Sequence, residues 1–133
     1  MLSIALILLA AVSCSSTTDI TKNPSQMTDF VVGQVYALKK PCWIRGRALL
    51  TLRGKEPADS EGTLNSGTQL VVRKVVVERS SEVGTYTDVF VEVLTGEHSG
   101  NNVNVGVISK ILTTGYAKRD PEMLEPVEGG TKY

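Results

Sequence analysis

Residues 67–95 carry the densest strand pattern in the chain: GTQLVVRKVVVERS, a short polar break, then TYTDVFVEVLT. Val, Phe, Tyr and Thr suit a pleated, half-buried surface. Ser80, Ser81, Glu82, Val83 and Gly84 have the composition of a hairpin connection. The pattern predicts two long antiparallel strands at the centre of a small all-β domain. In the second strand Val89, Val91 and Val93 share one face by the two-residue period, while Asp88 and Glu92 share the other with Phe90. The first strand is apolar on both faces, Leu70, Val72 and Val76 against Val71, Val75 and Val77. Strong coiling or a bulge near Arg73-Lys74 would reconcile that with one core.

Weaker patterns flank this hairpin. Residues 30–38 (FVVGQVYAL) predict a first strand with a break at Gly33. Residues 41–44 and 48–52 predict two short strands inside a long excursion punctuated by Gly46, Gly54, Pro57 and Gly62. After the turn at 96–101, Val103, Val105 and Val107 alternate with Asn102, Asn104 and Gly106, so the valines are expected inside and Asn102 and Asn104 outside. Ile108, Ile111 and Leu112 are expected to close the core through a short helical turn and a last strand to Tyr116.

The N-terminus follows a different rule. Residues 2–12 (LSIALILLAAV) are aliphatic and uncharged. As a helix they would span roughly 16 Å, about half the ~30 Å hydrocarbon core of a bilayer, which argues for a signal-peptide apolar region and against a spanning anchor. Ala11, Val12, Ser13 and Cys14 close that run, and they resemble the lipobox of bacterial lipoproteins. The resemblance implies cleavage before Cys14, a diacylglyceryl thioether on its sulfur and acylation of the new amino terminus. Two or more acyl chains give stable membrane anchoring. By the same resemblance Ser15, in place of an Asp, permits export to the outer membrane. An ordinary secretory signal and a short membrane anchor are the alternatives.

Residues 15–28 (SSTTDITKNPSQMT) are polar, contain Asn23-Pro24 and lack an apolar period, so they are expected to be a flexible linker. The expected organisation is a signal peptide at 1–13, the lipidated Cys and linker at 14–28, a barrel at 29–119 and a flexible acidic tail at 120–133. That tail holds two prolines and two glycines. Met123, Leu124 and Val127 are the residues expected to pin it locally.

The strand order resembles an SH3-like barrel of the bacterial type over roughly residues 30–116. It has a first strand, a long excursion, three meandering strands, a tight turn and a short final strand. The phrase Leu64-Asn65-Ser66-Gly67-Thr68-Gln69-Leu70-Val71-Val72 is similar to the way such domains lead a loop through Gly-Thr into a strand. The resemblance implies a five- to six-stranded barrel that recognises peptides or cell-wall material. An oligonucleotide-binding-type barrel is the structural alternative.

Charge narrows the partners. Fourteen Lys and Arg balance fourteen Asp and Glu, which gives no global field for nucleic acid. The distribution is uneven. Lys39, Lys40, Arg45, Arg47, Arg53 and Lys55 lie in one stretch without an acid, near Tyr36 and Trp43, while the tail from Asp120 carries four acids. Lys39, Lys40, Trp43, Arg45, Arg47 and Arg53 are therefore the candidate partner-binding residues. The competing reading is a solvated loop. A third is that the tail covers the loop and competes for the same partner.

Catalytic candidates reduce to Cys42 with His98, the only histidine, and no motif flanks either. A buried small hydrophobe at Cys42 and a solvated histidine in the 96–101 turn are the plainer readings. Without lipidation, a Cys14–Cys42 disulfide in an oxidising envelope is the remaining use of the two thiols. No metal or cofactor is expected. The sequence thus points to a non-catalytic binding or scaffolding lipoprotein of the cell envelope, whose partners are cell-wall material such as peptidoglycan or other envelope proteins. The alternatives are a subunit of a larger lipoprotein assembly and a Cys-dependent envelope hydrolase.

Overall fold

The computed structural model describes residues 15–50, 56–105 and 109–128. Eleven strands and no helix occupy the described residues: β1 (Ser15–Asp19), β2 (Val35–Leu38), β3 (Cys42–Arg45), β4 (Ala48–Leu50), β5 (Gly62–Leu64), β6 (Gln69–Ser80), β7 (Gly84–Val93), β8 (Asn102–Asn104), β9 (Ser109–Ile111), β10 (Ala117–Arg119) and β11 (Leu124–Pro126). The protein is all-β. One sheet runs β11-β2-β6-β7-β8-β4-β3-β5, with β1 added to β6, and β9 pairs with β10 separately.

The β6–β7 hairpin organises the sheet as the valine pattern predicts. Its turn is closed by Ser80, whose hydroxyl accepts from the amides of Glu82 and Val83 at 3.2 and 3.4 Å. Gly84, with φ of +89°, carries the chain back into β7 at an angle that favours glycine. Between Val72 and Lys74 the register shifts, so Val72 faces Val91 while Lys74 faces Phe90. Arg73 is the extra residue of this bulge. The shift lets Leu70 and Val72 before it and Val75 after it enter one core cluster.

β6 is long enough to serve two partners on its other edge. Residues 69–71 pair with β2, and residues 76–80 pair with β1. The core draws Tyr36 and Leu38 from β2, Cys42 and Ile44 from β3, and Leu64 from β5. Val89, Val91 and Val93 of β7, Val103 of β8, Ala117 of β10 and Leu124 of β11 complete the ring around it. A sheet most of whose strands meet in one cluster is folded over onto itself. Its ladder is nevertheless open, because no pairing among the described residues joins β5 to β11.

Several expectations are corrected. Residues 15–28 are not a free linker: Ser15–Asp19 form β1, the Met27 carbonyl accepts from Ala117 N at 2.9 Å, and the Thr28 hydroxyl donates to the Ala117 carbonyl at 2.7 Å. All five β1 residues are exposed, so the strand is held by its backbone ladder and leaves no apolar period in the sequence. The tail is not free through Val127 either. Leu124 pairs with Leu38, Met123 and Leu124 are buried, and Val127 N donates to the Val35 carbonyl at 2.9 Å. Of the expected pins, Leu124 lies in β11, Met123 enters the core and Val127 is hydrogen-bonded to β2.

The first strand is shorter than 30–38: only 35–38 pair. Phe30 turns into the core against Tyr36, centroids 5.4 Å apart and edge to face, and the Tyr36 hydroxyl accepts from Val31 N. Residues 109–111 are extended, not a helical turn. Val103 and Val105 are buried and Asn102 exposed, as expected, but Asn104 is half-buried and donates to Asp88 at 2.7 Å. Val107, Ile108, residues 51–52 of the 48–52 strand and the signal region lie outside the described residues.

Candidate partner-binding surface

Strand β3 decides which of the basic and aromatic residues can act together. Cys42 and Ile44 point into the core, so Trp43 and Arg45 share the outer face. Trp43 is half-buried and its neighbours in register are Leu50 of β4 and Thr63 of β5. Thr63 donates to Glu56 at 3.3 Å, and Arg45 lies 3.7 Å from Asp59 with both side chains exposed. The outer face of β3 is therefore an aromatic centre with a mixed-charge rim.

The candidate cations do not form one patch. Lys39 and Lys40 precede β3, while Arg45 and Arg47 lie at its other end, about 13 Å away for a four-residue strand. Lys39 belongs to the tail side, where its ammonium donates to the Pro121 carbonyl at 3.1 Å and its amide to the Met123 carbonyl at 2.8 Å. The tail meets Lys39 through backbone carbonyls. Arg53, like Cys14, lies outside the described residues.

Cys42 is fully buried on β3, and burial pushes its thiol up to about 12. At neutral pH such a group is a protonated, inaccessible thiol, unsuited to nucleophilic attack. Cys42 is a free thiol here, and Cys14, its partner in the alternative disulfide, lies outside the described residues. His98 is not a freely solvated turn residue. It is half-buried, and its ring covers Gly62 of β5, so that a Cβ there would stand 2.3 Å from Cε1 and Nε2.

One surface feature escapes the sequence reading. Val83, Tyr86, Ile111 and Leu112 line a groove beside the β6–β7 turn. Val83 is 74% exposed, and Ile111 and Leu112 are each 46% exposed. The available signal was a lone valine in an otherwise polar hairpin connection. Ile111 and Leu112 instead read as core residues, because their placement depends on how β9 returns to β10.

No group of three or more His, Cys, Asp or Glu suited to a metal ion occurs among the described residues. No family model, curated protein or solved structure matches the chain.

Proposed function

We propose that the protein is a lipid-anchored lipoprotein of the bacterial cell envelope, displayed on the periplasmic face of the outer membrane. In this reading its SH3-like domain is a non-catalytic binding or scaffolding module for cell-wall or protein partners. The observation that carries the reading is the uncharged run 2–12 ending in Ala11-Val12-Ser13-Cys14. The position of β1 supports it: Ser15, the residue after the cysteine that would carry the lipid, is already paired with Ser80 of β6. The contact surface is the outer face of β3, where Trp43 offers a flat apolar platform and Arg45 a cation.

The anchor is tested by Cys14→Ser, which should abolish palmitate labelling and release the chain from the membrane. Retention with an unchanged mass would rule the anchor out. The module is tested by affinity capture from detergent-solubilised envelope with and without peptidoglycan digestion. Capture that depends on intact peptidoglycan assigns a cell-wall partner, and capture that survives digestion assigns a protein.

A second reading, a subunit of a larger lipoprotein assembly, is favoured by β1. Its five residues are exposed, and among the described residues it pairs with β6 alone. Its free edge can accept another strand. A monomer on sizing with no crosslinked partner in cells would count against that reading.

A further inference from the structure

Three observations meet at the hairpin end of the sheet. The first is where the chain enters the fold. Ser15 pairs with Ser80, and Ser80 with Gly84, so Ser15 stands two strand spacings, roughly 10 Å, from the start of β7. One residue reaches at most about 3.6 Å, so a lipid carried on the residue before Ser15 would be joined to the chain at this end. The second is the groove itself. Val83, Ile111 and Leu112 are three of only four strongly exposed large hydrophobic residues among those described, and they cluster with Tyr86.

The third observation is charge. Lys110 of β9 and Lys118 of β10 are directly opposite and both exposed. Like charges in that position weaken a ladder, and an anionic surface would relieve them. Arg79, exposed one residue before the turn region, adds a third cation. Glu82 is the exposed acid of the turn, while Glu78 accepts a hydrogen bond from Thr17 at 2.9 Å.

We propose that this end of the domain is a lipid-contacting surface. Val83, Tyr86, Ile111 and Leu112 enter the headgroup region of the bilayer that holds the Cys14 lipid, and Lys110, Lys118 and Arg79 lie against its phosphates. The proposal rests on the anchoring reading, because a lipid on Cys14 brings the bilayer to this end of β6 and to no other. The missing linker makes the contact close. With residues 15–19 bound to the sheet, the domain has no slack with which to stand clear of the headgroups. The outer face of β3 belongs to strands reached only across β8 and β4, leaving it available to a partner.

The test uses the full chain carrying Val83→Cys, labelled with an environment-sensitive fluorophore and reconstituted into phosphatidylethanolamine–phosphatidylglycerol vesicles with nitroxide-bearing lipid. Leu112→Cys is a second labelled site, and Glu97→Cys, in the turn at the other end of β7, is the control. Cys42, being buried, takes no label. The expected result is a blue shift and several-fold stronger quenching at 83 and 112 than at 97. Equal quenching at all three positions, or none at 83 and 112, overturns the proposal. Protection at 83 without lipid, together with a dimer on sizing, assigns the groove to a second copy and also overturns it. The mass of the parent chain reads the anchor separately. If Cys14 is unmodified the anchoring reading falls, and the same quenching comparison in a Cys14→Ser background, with vesicles added, still decides the surface.

Discussion

The imidazole of His98 fills the space that a side chain on Gly62 would occupy. This contact fastens the turn between β7 and β8 onto the end strand β5, which among the described residues otherwise pairs only with β3. It explains why a glycine stands in a strand, where its conformational freedom is a cost. Gly62 also has φ of +155°, unfavourable for other residues.

Gly62→Ala should therefore destabilise the domain by about 1–3 kcal/mol, since the ring must move and the backbone is strained. His98→Ala removes the obstacle, so the double variant should lose less than the sum of the two single losses. Urea unfolding of the three variants measures this coupling. Strict additivity would mean that the ring and Gly62 do not touch.

The bulge at Arg73 gives a sharper test of the core. Deleting Arg73 restores an unbroken two-residue alternation along β6 and turns one half of the strand inside out. Either Leu70 and Val72 or Val75 must leave the cluster they share. The deletion should cost more than Val91→Ala, for which about 1–3 kcal/mol is expected. The Arg73–Glu92 ion pair at 3.1 Å is partly exposed, so Arg73→Ala, which keeps the bulge, should lose no more than about 1 kcal/mol. If the deletion and the substitution are equally mild in denaturant unfolding, the bulge does not set the register.

The same parity argument explains what the sequence discloses about this fold. The valines of β7 and β8 bury on the alternation visible in the chain, and even the bulge in β6 is legible, because six apolar residues on two faces demand it. β1 is not legible, since a strand with five exposed residues has no buried period and its pairing with residues 76–80 is set by backbone hydrogen bonds. The tail misleads for the opposite reason. Its prolines, glycines and acids outweigh Met123 and Leu124 in composition, yet those two side chains decide its place by entering the core. The basic stretch looks continuous only in one dimension. Strand β3 separates Lys39 and Lys40 from Arg45 and Arg47.

Cys42 makes stability sensitive to alkali. Its thiol is held at about 12 in the fold by burial, against an ordinary value near 8.5 in an unfolded chain. Above that ordinary value the unfolded chain loses the proton and the folded one keeps it. Stability is thus fully present below about pH 8.5 and declines until the folded thiol itself ionises, with a limiting slope of about 1.4 kcal/mol per pH unit. Tyr36, raised chiefly by burial, adds to the decline above about pH 10. Unfolding free energies of the parent and Cys42→Ala between pH 8 and 10.5 test this. The variant should show the shallower fall, and parallel curves would sink the assignment.

The outer face of β3 supplies the last prediction. Trp43 and Arg45 share that face, and Arg45 meets Asp59 at 3.7 Å in an exposed pair worth little to stability. Neutralising Arg45, Arg47 and Arg53 together to Gln should leave the unfolding midpoint nearly unchanged. It should weaken capture of envelope partners at low salt, and the difference should shrink as ionic strength rises and the screening length falls to about 8–10 Å. Neutralising Lys39 and Lys40 at the far end of β3 should have the smaller effect on capture. Deleting residues 120–133 is no test of an acidic competitor, because it strips Met123 and Leu124 from the core. Replacing Glu122, Glu125 and Glu128 by Gln keeps those side chains and removes three of the tail's four acidic charges. Stronger capture by that variant would show that the tail competes with the partner, and unchanged capture would make its acids a solvated rim. Trp43→Ala distinguishes platform from packing, since a platform loses capture at an unchanged melting temperature. If the arginine triple variant captures partners as well as the parent at low salt, the outer face of β3 is not an electrostatic binding surface.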